Sequence, residues 1–100
     1  MIDSVNHPTH YQREGRKECK DEIREKYGNN IYCTFCLTNV YKYLYRAGLK
    51  ENNSEEQDLQ KALFYFREAE YYIDETTHDD NLYELFADIE YKLWNLKLID

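Results

Sequence analysis

The chain has little of what breaks, staples or anchors a fold. One proline and three glycines in 100 residues are too few turn formers for a many-stranded β-sandwich or for a flexible linker between domains. No apolar run approaches the roughly 20 residues that span a bilayer, and the N-terminus lacks the basic and apolar stretches of a secretory signal. A membrane partner is therefore excluded, and a cytoplasmic location is expected. Cys19, Cys33 and Cys36 are an odd set without secretory context, which argues for free thiols rather than a disulfide framework. An excess of basic residues is also missing. With 13 Lys and Arg against 20 Asp and Glu the net charge is −7, and long duplex nucleic acid, which rewards a broad basic face, drops out as a partner.

What remains is the composition of a compact helical domain, 42% hydrophobic and 33% charged, of a length that supports one core. The opening stretch "VNHPTHY" holds His7 and His10 around Pro8, and the residue before a proline is pushed toward extended backbone. Residues 1–14 thus read as an N-terminal arm. A first helix is expected over about 15–27, where Cys19, Ile23 and Tyr27 recur at spacing four and Gly28 stops the pattern. A second, over about 31–47, carries Cys33, Leu37, Val40, Leu44 and Ala47 and ends at Gly48.

Ser54-Glu55-Glu56-Gln57 has the form of a capping box, and Leu59, Ala62, Leu63, Phe66, Ala69 and Ile73 extend the third helix to about residue 75. Leu82, Leu85, Phe86, Ile89, Leu93 and Leu96 write a fourth helix over about 80–98. The expected fold is all-α, a small bundle of about four helices forming a single domain over 1–100, preceded by the extended arm.

The charges are unevenly placed: residues 1–50 hold nine Lys/Arg and six Asp/Glu, residues 51–100 four and fourteen. On the second helix Phe35, Asn39, Lys42 and Arg46 lie opposite the apolar stripe, flanked by Tyr41, Tyr43 and Tyr45. On the third, Lys61, Tyr65, Glu68 and Tyr72 do the same, with Asp58 beside them in the first turn. Ordinary solvated faces are rich in Glu and Lys, whereas these mix amide, cation and aromatic. Lys offers a point charge to phosphate, Arg a planar fork, Asn an edge for base or ribose, and Tyr a stacking surface. Two faces of one helix suited to burial also point to a homo-oligomer, with Trp94 and the fourth helix contributing. Cys33 and Cys36 form a CxxC that, with His7 and His10, has the ligand types of a zinc site. No second CxxC accompanies it, and Cys33 falls in line with Leu37, so structural thiols are expected and no metal.

Four ordered motifs carry a resemblance: "HPTHY" at residues 7–11, Glu18-Cys19 with Asp21, then Asn39, Lys42, Tyr43, Arg46 and Lys50, then Asp58, Leu59, Lys61, Ala62 and Tyr65. Together they resemble a family of small tailed-phage proteins labelled either as a domain of unknown function or as a phage nucleotide kinase. The resemblance covers about residues 5–73. It implies nucleotide-related activity in the cytoplasm of an infected bacterium, because one branch is described as phosphorylating deoxynucleoside monophosphates. Carried over onto the matching positions, the ligand-binding set is His7, His10, Tyr11, Asn39, Lys42, Tyr43, Arg46, Lys50, Asp58, Lys61 and Tyr65.

Two departures stand out. Thr38 occupies a place that is often glycine in the family, and no GxxxxGK[ST] phosphate loop exists, so side chains must do what a glycine cradle does elsewhere.

The leading expectation is a nucleotide-binding phage protein of the nucleoside monophosphate kinase kind, with no certain cofactor and Mg²⁺ only as a companion of the nucleotide. A non-catalytic sponge for a nucleotide or nucleotide-derived immune signal is the first alternative. The second is an acidic inhibitor of a host defence protein, drawing on the fourteen acids of the second half.

Overall fold

The computed structural model describes residues 18–49, 54–74 and 78–100. Within these residues four helices follow one another: α1 (Cys19–Tyr27), α2 (Asn29–Arg46), α3 (Glu55–Tyr72) and α4 (Asp80–Asn95). With no strand among the described residues, the all-α expectation holds. The arm of residues 1–14 lies outside the described residues.

The helix boundaries follow from local chemistry. Gly28, at φ 94°, separates α1 from α2 without an intervening loop; its N–H closes α1 on the Arg24 carbonyl and its own carbonyl accepts from Tyr32 in α2. Gly48, at φ 76°, supplies the left-handed residue expected just beyond α2. Ser54 caps α3 by accepting from the Gln57 N–H at 3.0 Å. Asp79 does the same for α4, accepting from the Leu82 N–H at 3.1 Å.

The core lies between α2, α3 and α4. Tyr32, Cys33, Cys36, Leu37 and Val40 are buried on α2, Ala62, Phe66 and Ala69 on α3, and Leu82, Ile89 and Leu93 on α4. Each large aliphatic or aromatic side chain so placed is worth about 1.5–3 kcal/mol relative to exposure. Phe66 and Phe86 pack ring to ring across α3 and α4 at 5.3 Å.

The expected stripe of α1 does not form. Cys19 and Tyr27 are exposed, Ile23 is half-buried, and α1 has no buried residue. Ile23 alone of the three packs against the core, and polar ties add to it: the Lys20 ammonium donates to Glu68 at 3.2 Å and the Arg24 guanidinium sits 4.0 Å from the Tyr72 ring centroid. α3 also stops at Tyr72 rather than near residue 75, with Ile73 in extended backbone.

Candidate functional site

The last turn of α2 lies beside the first turns of α3, and there the two polar stripes meet. Tyr43 is the centre. The Lys42 ammonium is 4.5 Å from its ring centroid, the Arg46 guanidinium carbon 4.8 Å and the Lys61 ammonium 5.6 Å. Tyr65 stacks on the same ring at 5.9 Å with an interplanar angle of 11°. Three cations gathered round one aromatic ring form an unusual holding arrangement, because a ring offers each only about 0.5–2 kcal/mol and neutralises none of its charge.

Behind the cations is a carboxylate. Asp58 is fully buried, and its Oδ1 lies 3.6 Å from the Arg46 Nε. That is an ion-pair separation without a hydrogen bond: the Arg46 Nε and both Asp58 oxygens are buried and have no hydrogen-bond partner among the described residues. Asp58 belongs to the acidic first turn of α3, where the helix N-terminus favours negative charge, and Arg46 ends α2, where the C-terminus favours positive charge.

An aromatic row leads away from the cluster. Tyr65 meets Phe35 edge-on at 6.1 Å, and Phe35 stacks with Tyr32 at 6.2 Å. Phe35 remains 45% exposed, so the row is open to solvent at that ring, while Tyr32 beyond it is buried. Asn39, one turn before Tyr43, donates its side-chain N–H to the Phe35 carbonyl at 3.0 Å. That bond uses one of the two N–H groups of the carboxamide.

The structure thus brings together Lys42, Tyr43, Arg46, Asp58, Lys61 and Tyr65, and sets Asn39 on the same face. His7, His10, Tyr11 and Lys50 lie outside the described residues. Sequence reading placed Phe35 on the stripe but missed its place in the ring row; the signal was an aromatic four residues before Asn39 on an otherwise polar face. It also missed the neighbouring network on Glu68, whose Oε1 accepts from the Tyr32 hydroxyl at 2.8 Å as well as from Lys20. Burial pulls the Lys20 ammonium down, but the hydrogen bond and charge of Glu68, with Glu18 beside it, raise it above its usual range. Burial, with Cys36 and Glu68 nearby, pushes the Tyr32 phenol upward.

The CxxC is part of the core. Cys33 donates to the Ala69 carbonyl at 3.4 Å, and both thiols are buried. Burial, reinforced by the Glu68 charge, pushes Cys33 up to about 11, and burial pushes Cys36 up to about 12. These are protonated packing groups, the structural role expected of them.

A family profile described as a protein of unknown function, DUF3310, matches residues 5–67. The chain belongs to that family. The Gene 1.7 protein of Enterobacteria phage T3 is similar to it, 37% identical over 62 residues that make up 61% of this chain and 38% of that protein. The chain therefore spans less than half the length of this phage relative. No solved structure matches it. The DUF3310 match ends within α3 and takes in every residue of the Tyr43 cluster, while α4 lies beyond it.

Proposed function

We propose that this chain binds a nucleotide, its phosphates held by Lys42, Arg46 and Lys61. The observation that carries the reading is the gathering of those three cations on the Tyr43 ring. A phosphate oxygen that replaces the ring as partner gains a charge-assisted hydrogen bond of about 1.5–3 kcal/mol, more than most cation–ring contacts supply. The arrangement is a preassembled cluster of cations in which Lys42 and Lys61 face the ring, and Arg46 faces both the ring and the Asp58 carboxylate. The partly open Phe35 face and the Asn39 carboxamide supply stacking and an acceptor on the same side of α2.

Calorimetric titration of dTMP, dGMP and dATP into the full chain tests this. Arg46→Ala should weaken binding about tenfold to a hundredfold, and Arg46→Lys, which keeps charge but loses the planar fork, should also weaken it. Wild-type affinity in a folded Arg46→Ala protein would remove the cluster from the site.

Phosphoryl transfer between nucleotides is a further step on the same site, since such chemistry asks mainly for positioning and charge stabilisation. Incubating the protein with dTMP or dGMP, a triphosphate donor and Mg²⁺ separates turnover from sequestration: only an enzyme yields the diphosphate.

A further inference from the structure

A buried carboxylate is costly unless a counter-charge or hydrogen-bond donor meets it. Asp58 is such a group, fully buried, with Arg46 as the cation within ion-pair distance among the described residues. Lys61, one turn further along the same helix, turns to the Tyr43 ring. Arg46 approaches Asp58 through Nε, and its guanidinium carbon lies over Tyr43, with its side chain 27% exposed. The guanidinium is thus fixed along one edge by a charge it cannot leave without stranding that charge in the interior. It is fixed on its face by a ring.

We propose that Asp58 is a positioning residue: its buried charge holds the Arg46 guanidinium by Nε so that the terminal nitrogens present a fixed fork to phosphate. This rests on the reading of the Tyr43 cluster as a phosphate site. An arginine free to sample rotamers pays for ordering when it binds, whereas one already held does not, so the loss of Asp58 should appear as weaker binding that Arg46 no longer repairs. The opposite design, in which Asp58 competes with the ligand for Arg46, predicts tighter binding when the charge is removed.

The test uses inorganic pyrophosphate, which isolates the phosphate contact from base and sugar. Three full-length proteins are titrated: wild type, Asp58→Asn and Asp58→Asn/Arg46→Ala. Asp58→Asn should bind about tenfold more weakly, and adding Arg46→Ala should cost less than about twofold more, because the held fork has already been lost. If Asp58 only supports the fold, Asp58→Asn stays near wild type and the double variant drops about tenfold below it; that result overturns the proposal and leaves the phosphate reading standing. Tighter binding by Asp58→Asn overturns it in favour of competition. A wild type that binds neither pyrophosphate nor nucleotide overturns the phosphate reading and the proposal with it.

A second measurement needs no variant. The Arg46 Nε–H in the ¹⁵N spectrum of the wild type should be a distinct, slowly exchanging signal before pyrophosphate is added and remain so afterwards. An Nε–H averaged with the exposed arginines would sink the idea.

Discussion

The ring of Tyr43 lies nearly parallel to that of Tyr65, 5.9 Å away across the α2–α3 contact. That pair locks the register in which Lys42 and Arg46 from one helix and Lys61 from the other share an aromatic partner. Tyr43→Phe keeps the ring and should leave stability within about 0.5 kcal/mol of wild type. Tyr43→Leu removes stacking and the common cation partner together and should cost about 1–3 kcal/mol in urea unfolding.

Glu68 serves two donors at once, the Tyr32 hydroxyl and the Lys20 ammonium. Glu68→Ala leaves the hydroxyl of a side chain only 2% exposed without its acceptor and should destabilise the fold by about 1–3 kcal/mol. Glu68→Gln retains an acceptor oxygen and should recover part of the loss. Equal stability of the two variants in chemical denaturation would contradict this account.

The apolar repeat, capping Ser54 and stopping Gly48 were all legible in the sequence because each acts through neighbours three or four residues away. So was the polar stripe, since helical spacing alone sets Asn39, Lys42 and Arg46 on one face. Asp58 shows where such reading ends. A carboxylate in a first helical turn is usually a solvated group answering the helix dipole, and only the packing of α2 across α3 makes this one a buried counter-charge. Cys19 and Tyr27 mislead for the opposite reason: their spacing is helical, but only Ile23 of that stripe packs against the core, and polar ties supply the other contacts of α1.

The thiols divide into one reactive and two silent. Cys19 is exposed and should be alkylated rapidly at pH 8, while Cys33 and Cys36 should react only in denaturant. Their folded-state values, about 11 and about 12, lie above the ordinary 9.0. The unfolded chain therefore releases its thiol protons first, and stability should fall as pH rises from about 9 toward those values, with the contribution fully present below that window. Melting curves across this range check the sign; replacing both cysteines with Ala should flatten this part of the slope.

Ser54→Ala removes the bond that caps α3 and should cost about 1 kcal/mol. Because the same turn carries Asp58, the phosphate site proposed above implies that pyrophosphate binding by this variant weakens along with its melting temperature. A melting point equal to that of wild type would show that the α3 terminus is held by other contacts.

One consequence belongs to Gly28. A Cβ there would meet nothing within 4 Å, so the φ of 94° rather than crowding is what calls for glycine. The joint between α1 and α2 is a single residue whose missing Cβ would point into open space, and α1 has no fully buried side chain. Native-state opening should accordingly begin at this segment: its amides exchange with solvent through a local detachment far less costly than global unfolding, while those of α2 wait for the whole core to open. The polar ties from Lys20 and Arg24 set how long the segment stays docked, which makes its lifetime, unlike that of the core, a quantity that salt can tune.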